Sequence, residues 1–380
     1  MTDSTSAHTR GPTKGAELHE RIDGLRLPMG EAGADAVLIS QPDNRRYLTG
    51  FTGHDSTSGS SAGWLLVTSR EAVLLMGFLS LEQARRECPD FGLLDTGDKP
   101  AVLVGQLARE RGFGRVLAEG SHLTHAAFVD LRSQLPPQCE LVSFEGWVER
   151  LRSRKDADEI GKIRRAAELT DRALEHVLGV VRVGMSEREI AWEAERYMRE
   201  HGAAGLAFEV GVATGPNTSL PHNPPSERQV QAGEPVWIDM GAQVDGYCAD
   251  LTRTFCLGEP EPKLREVWSA VLRAQVAAVD CCRSGMTGPE VDGIARRIIT
   301  EAGHGPAFGH SLGHGVGLVV HELPRLSQQS GDVLESDNVV TFEPGIYLEG
   351  WGGVRIEDLG VIREGKVELL SAAPKQLSIG

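Results

Sequence analysis

The 380-residue sequence has little that would tie it to nucleic acid, a membrane or an oxidising compartment. Positive charge is short: 39 Lys and Arg stand against 54 Asp and Glu, a formal net charge of −15. Sequence-independent binding to nucleic acid needs a basic surface, so no nucleic-acid partner is expected. Long apolar runs are missing, and none approaches the roughly 20 residues of a bilayer-spanning helix, so no membrane partner is expected either. The opening MTDSTSAHTRGPTKGAELHERIDG is polar and lacks the apolar stretch of a secretory leader. The six cysteines show no CxxC pairing, and two of them, Cys281 and Cys282, are adjacent. That usage fits reduced thiols and a cytoplasmic location. What remains is an ordinary globular composition, 40% hydrophobic and 24% charged, long enough for one large domain or two ordinary ones.

Three regions can be drawn. Residues 1–17 are dominated by Ser, Thr, Gly and Pro and are expected to form a flexible tail. In residues 18–150, strand signals (Asp35–Ser40, Trp64–Thr68, Ala72–Met76, Arg115–Ala118) alternate with helical ones (Glu17–Met29, Leu79–Glu87, Ala101–Arg111, Thr124–Leu135). That alternation predicts an α/β domain. The Gly/Ser/Thr-rich segment around His54 and Asp55 reads as an exposed loop. From Ser153 the character changes. Ser153–Asp156 resembles a capping box, and Ile160, Ile163, Ala167, Leu174, Val177 and Val181 then recur at helical spacing. Ser186–Glu189 and Thr287–Glu290 are further capping-box matches, with helix stops expected at Gly202 and near Gly303. Helices alternating with strand pairs predict an α+β second domain over residues 151–380.

Within it, Glu234–Phe255 reads as a hairpin with a turn near Asp245-Gly246. A two-residue turn at Val244-Asp245 sets Asp239 opposite Asp250. One at Asp245-Gly246 sets Asp250 opposite Gly241, two positions along from Asp239. Either register leaves both carboxylates on one face. Two ionised carboxylates that close repel, and they call for a shared proton or a metal.

Other stretches carry the same chemistry. His222 lies in a proline-stiffened loop. The run Phe308–Glu322 holds His310, His314 and His321 among glycines that argue against a helix, so His310 and His314 are not a helical ligand pair. Glycine around a histidine suggests backbone held close to a ligand or another strand. Val339–Tyr347 and Gly353–Asp358 read as strands bearing Glu343 and Glu357, and a glutamate in an apolar strand is costly to bury unless paired or metal-bound. Four carboxylates and an imidazole would suit two divalent ions, and oxygen-rich ligation favours Mn²⁺, with Co²⁺ and Zn²⁺ also suited.

IDMGAQVDGYCADLTRTF, LGHGVGLVVHE, TFEPGIY and GGVRIED resemble the signatures of the pita-bread metallopeptidases, above all the Xaa-Pro aminopeptidases and prolidases. YLTGFTG (Tyr47–Gly53) and the DEI helix near Asp158 resemble the creatinase-like N-terminal domain of that group and its linker. The resemblance implies a pita-bread catalytic domain preceded by a smaller α/β domain. It also implies roles. Asp239 would chelate one metal, His314 and Glu343 the other, and Asp250 and Glu357 would bridge both. A hydroxide between the ions would attack the scissile carbonyl, Glu343 handling its proton. His222 and His321 would line the substrate site and steady the tetrahedral intermediate. Tyr347 and Arg355 would orient the ligand carboxylates, and His310 would lie nearby. Arg325 matches a position that in some prolidases meets the free carboxylate of a dipeptide, although an exposed loop arginine is the plainer reading. The expected activity is release of the N-terminal residue from peptides with proline in second position, as an Xaa-Pro aminopeptidase, with a prolidase acting on dipeptides as the runner-up. A metal-free peptide-binding module of the same fold is the alternative of another class. A homodimer is expected by analogy with the group.

Overall fold

The computed structural model describes residues 14–53, 55 and 61–379, and two compact units divide the chain at Leu151/Arg152. His54 and most of the 54–60 loop lie outside the described residues.

In the first unit, α1 (Lys14–Glu31) opens inside the stretch expected to be tail, its buried Leu18, Ile22, Leu25 and Met29 recurring at helical spacing. After it come β1 (Ala36–Ile39), α2 (Pro42–Thr49), β2 (Gly63–Thr68), β3 (Ala72–Met76), α3 (Phe78–Glu87), β4 (Gly92–Asp95), α4 (Pro100–Arg111), β5 (Arg115–Glu119), α5 (His125–Gln134) and β6 (Glu140–Phe144). The strands form one sheet in the order β4-β3-β2-β1-β5-β6. β1 is buried along its whole length, as a strand paired on both sides and covered on both faces should be. Asp55 pairs with the buried Arg45 of α2 at 3.1 Å. α6 (Trp147–Ser153) follows.

The second unit starts its long helix three residues later than the sequence suggests. The capping box is Asp156–Glu159, not Ser153–Asp156: Asp156 Oδ1 accepts from the Glu159 amide at 2.8 Å and Glu159 Oε2 from the Asp156 amide at 2.9 Å. Ser153 is the last residue of α6, and its carbonyl accepts from Lys155 and Asn338 instead. α7 (Ala157–Val180) buries Ile160, Ile163, Leu174 and Val177, each contributing about 1.5–3 kcal/mol of apolar burial. α8 (Glu187–Glu200) and α10 (Gly288–Glu301) begin on the Ser186 and Thr287 boxes, and Gly202 and Gly303 follow them at positive φ. α9 (Pro262–Cys281) packs against α10 over a core that includes Val267, Val271, Val291 and Ile299.

The strands of this unit are β7 (Gly205–Leu206), β8 (Gly211–Thr214), β9 (Val236–Met240), β10 (Ala242–Val244), β11 (Tyr247–Cys248), β12 (Leu251–Leu257), β13 (Gly313–Gly315), β14 (Glu322–Leu326), β15 (Val339–Phe342), β16 (Gly345–Leu348), β17 (Gly352–Arg355), β18 (Asp358–Ile362), β19 (Val367–Leu369) and β20 (Ser378–Ile379). Two ladders matter for function. β20-β12-β9-β8 carries the first carboxylate hairpin, and β14-β13-β15-β18-β19 carries His314 and the second.

Candidate metal centre

The turn between β10 and β11 is Asp245-Gly246, both at positive φ (52° and 86°), and it fixes the register of everything beyond it. Asp239 faces Thr252, and the same register carries Asp250 opposite Gly241. The two aspartates are therefore diagonal neighbours on one face. In the second hairpin, Phe342 pairs with Asp358 and Gly345 with Arg355. Carried through the interruption between those pairs, that register sets Glu343 opposite Glu357. The hairpins meet where the Glu357 amide donates to the Thr252 carbonyl at 3.0 Å. Behind them, buried Arg253 donates to the Glu357 carbonyl and to Asp358 Oδ1, the latter at 2.7 Å, fixing β12 to β18.

His314 reaches this cluster because of its flanking glycines. A Cβ on Gly313 would sit 2.0 Å from the Thr341 carbonyl oxygen, and one on Gly315 2.0 Å from that of Leu323. Only glycine lets β13 lie so close to its neighbours. The imidazole then stands with Nε2 3.1 Å from Glu343 Oε1 and 3.6 Å from Asp250 Oδ2.

Electrostatically the cluster is unfinished by protein atoms alone. Burial, joined by the Glu357 charge, pushes the Asp250 carboxyl well above its ordinary value, and burial with the Glu343 charge does the same to Glu357. Burial raises Asp239 as well, against the opposing pull of Arg355. Burial also opposes ionisation of Glu343, but the His314 hydrogen bond and the nearby Arg355 charge outweigh it and hold that carboxyl at about 2. Glu357 Oε2 lies 2.7 Å from the Thr252 hydroxyl, whereas its buried Oε1 has no hydrogen-bond partner among the described residues. An orphaned carboxylate oxygen is costly away from water. Ligand atoms of Asp250, His314 and Glu357 lie within 4.8 Å of one another, a donor set that fits a divalent cation.

A second layer of side chains orients these groups. Arg355 donates Nη2 to Asp239 Oδ2 (2.6 Å), Nε to the Thr252 hydroxyl (2.9 Å), and Nη1 to the Tyr347 hydroxyl (2.9 Å) and the Pro221 carbonyl (3.2 Å). Four partners on one rigid fork lock it in place. His310 Nδ1 lies 2.8 Å from the Ser311 carbonyl, so Nδ1 carries the proton and Nε2 accepts from Tyr347 at 3.2 Å. Burial lowers the His310 pKa and keeps it in that neutral form.

The cluster opens into a cavity of about 760 Å³. Every sequence-predicted site residue lines it: Asp239, Asp250, His314, Glu343 and Glu357 with His222, His310, His321, Arg325, Tyr347 and Arg355. The ring centroids of His321 and His314 are 4.4 Å apart. Arg325 is not a loop residue; it sits exposed on β14, paired with His314. Sequence reasoning missed Thr252, whose hydroxyl lies between Asp239 and Glu357, and Thr341, which donates to Glu343 Oε1 at 3.3 Å. The signal for Thr252 was its place two residues from Asp250, on the same face. Trp237, which lines the cavity beneath the Arg355 guanidinium, was read only as a strand residue.

A cavity walled by buried carboxylates and histidines in an α+β unit is the arrangement of a metal-dependent hydrolase. Residues 161–364 match Metallopeptidase family M24 and residues 21–154 the Creatinase/Prolidase N-terminal domain. The chain belongs to metallopeptidase family M24, with the pita-bread fold of that family, and is an enzyme of that class. It is 35% identical to an Xaa-Pro dipeptidase of Pyrococcus furiosus over 360 residues, 95% of this chain and 100% of the relative. A solved Xaa-Pro dipeptidase from Bacillus anthracis superposes with a TM-score of 0.91 at 37% identity, covering 96% of this chain and 100% of its own. An X-Pro aminopeptidase from Thermotoga maritima gives 0.82 at 35%, covering 91% and 98%. The family implies divalent metal ions. Among the described residues no helix is long and apolar enough to cross a membrane.

Proposed function

We propose that this enzyme is an Xaa-Pro dipeptidase, a prolidase, working with two divalent ions, manganese first among them. The relatives named as Xaa-Pro dipeptidases support that activity ahead of the aminopeptidase favoured by sequence alone. The observation that carries the reading is a cavity joining the buried carboxylate–imidazole cluster to Arg325, whose guanidinium has no acidic partner among the described residues. A free dipeptide ends in a carboxylate one residue beyond the scissile bond, and Arg325 is the group to receive it.

Asp239, Asp250, His314, Glu343 and Glu357 would hold the ions, with Asp250 and Glu357 shared. Bound there, divalent cations supply an acidified water and Lewis-acid polarisation of the carbonyl. The protein does the rest. Glu343, ionised at neutral pH, takes the proton of the attacking water and passes it to the departing prolyl nitrogen. An amine leaves far more readily than an amide anion, so the bond from this nitrogen to the carbonyl carbon breaks as it gains this proton. His321 and His222 donate to the carbonyl oxygen as it becomes tetrahedral. Burial and the neighbouring His314 keep the His321 pKa low, so it donates as a neutral imidazole. Arg355 and Tyr347 hold Asp239 and His310 still while this happens.

The aminopeptidase reading retains support from the Thermotoga relative. A metal-free binding module leaves the Glu357 oxygen stranded. Hydrolysis of Ala-Pro, Ala-Pro-Ala and Met-Ala-Ser by Mn²⁺-loaded and chelated protein separates the readings. Chelator-sensitive cleavage of Ala-Pro alone is expected. Release of Ala from Ala-Pro-Ala would make it an aminopeptidase, and silence on all three with metal bound would refute both.

A further inference from the structure

His222 is exposed in the cavity and makes no hydrogen bond of its own among the described residues, so whatever aims it acts through its loop. The loop joins β8 to β9 and is rich in proline at Pro216, Pro221, Pro224 and Pro225. Its second half is paired to the residues that lead into α8, with the Glu187 amide donating to the Arg228 carbonyl and the Val230 amide to that of Met185, but the stretch around His222 has no such ladder and its backbone needs a side-chain anchor.

That anchor is Glu187, at the first position of α8 after the Ser186 cap and fully buried (0% exposed). Its Oε1 accepts from the Thr214 amide at 2.8 Å and Asn217 Nδ2 at 3.0 Å. Its Oε2 accepts from the Ser226 amide at 2.9 Å, the Ser226 hydroxyl at 2.6 Å and Asn223 Nδ2 at 3.3 Å. These donors run from the end of β8 to Ser226, flanking His222 in sequence, and Asn223 is its immediate neighbour. On the other side of His222, the Pro221 carbonyl accepts from Arg355. The histidine is thus held between one residue tied to Glu187 and one tied to the guanidinium that also holds Asp239.

We propose that Glu187 is a positioning residue for the reaction, acting through the loop to fix His222 over the cavity. This rests on the hydrolase reading above. A buried carboxylate that satisfies several donors from one loop is costly to desolvate, and the return is a single loop geometry. Glutamine keeps the shape of Glu187 but turns one acceptor into an amide that faces other donors.

Glu187→Gln is therefore expected to keep its metal content and circular dichroism while kcat/KM on Ala-Pro falls by roughly 10- to 100-fold, the scale of a misplaced catalytic group. Added to His222→Ala, it should cost little more than the worse single change, because both act through one imidazole. Hydrogen exchange of the 214–226 amides should quicken, a readout that needs no turnover. Ser226→Ala, which removes one donor, should give a smaller loss in the same direction, and it carries the test if Glu187→Gln does not fold. Unchanged exchange in a folded variant, or losses that multiply with His222→Ala, would overturn the proposal. A wild-type enzyme inactive on every Xaa-Pro substrate would refute the prolidase reading and leave the exchange result to decide this one.

Discussion

His314 Nε2 lies 3.1 Å from Glu343 Oε1 while Nδ1 lies 3.1 Å from the carbonyl of Gly315, the next residue. A carbonyl can only accept, so Nδ1 carries a proton, and in the neutral ring Nε2 presents a lone pair toward carboxylate oxygens. Two electron-rich groups aimed at each other are stable only with a cation between them or a second proton on the ring.

This relationship predicts what metal analysis will find. His314→Ala should reduce the bound metal from two ions to one per chain, and Asp250→Asn should lose both. Elemental analysis after dialysis against Mn²⁺ measures this directly. Two ions retained in Asp250→Asn would refute its role as a shared ligand.

Stability should respond to pH and metal together. Asp250 and Glu357 have folded-state pKa values raised above the unfolded values near 4 by burial and by their neighbours' charge. The metal-free folded state therefore binds more protons than the unfolded chain above that pH, and its stability falls as pH rises from about 4. Bound cations replace those protons. The rise in Tm on adding Mn²⁺ should accordingly be larger at pH 8 than at pH 5, as calorimetry would measure. An equal rise at both pH values would disprove the argument.

Much of this site was legible in the sequence because strand geometry is periodic. Asp245-Gly246 announced the turn, and period-two alternation put Asp239 and Asp250 on one face in either register. The glycines around His314 announced a close approach, and Gly313 and Gly315 meet backbone oxygens on two sides. What stayed hidden was tertiary. Nothing local ties Arg355 to Pro221 or Glu187 to Asn223. β4 and β6 were missed because β4 has only two apolar residues between Gly92 and Asp95, and in β6 Leu141, Val142 and Phe144 do not alternate cleanly with polar residues. β14 was read as loop because Pro324 sits inside it. Ser153 and Asp156 are both competent caps, and only the end of α6 decides between them.

Arg355→Lys should be far from conservative. Lysine brings three donors on a flexible stem, whereas the arginine fork reaches Asp239, Thr252, Tyr347 and the Pro221 carbonyl together. Loss of such an outer partner typically costs about 10- to 100-fold in metal affinity or activity. Titration calorimetry with Mn²⁺ and steady-state kinetics should both register it; wild-type values in both would remove Arg355 from the site's machinery.

His321→Ala should keep both ions, since His321 contacts His314 only ring to ring. The rate on Ala-Pro should still fall by about two or more orders of magnitude, the usual size of a lost oxyanion donor. The loss should appear in kcat, with KM little changed, because the oxygen it meets is charged only as the carbonyl becomes tetrahedral. A metal-replete variant with wild-type kcat would take His321 out of the reaction.

Arg325→Gln tests the substrate's far end. Arg325 is exposed on β14 beside His314, its amide donating to Asp332 Oδ2 while its guanidinium has no acidic partner among the described residues, so changing the side chain breaks no ion pair there. Folding and metal content should stay as they are. A dipeptide would lose the partner for its terminal carboxylate in ground and transition states alike, so KM for Ala-Pro should rise while kcat holds. The C-terminally amidated Ala-Pro, which has no carboxylate to lose, should be handled equally by both proteins. The discriminating quantity is the ratio of kcat/KM for Ala-Pro to that for its amide. A ratio that collapses in Arg325→Gln assigns the carboxylate to this guanidinium, and a ratio left unchanged sends the search for the dipeptide's anchor elsewhere on the cavity wall.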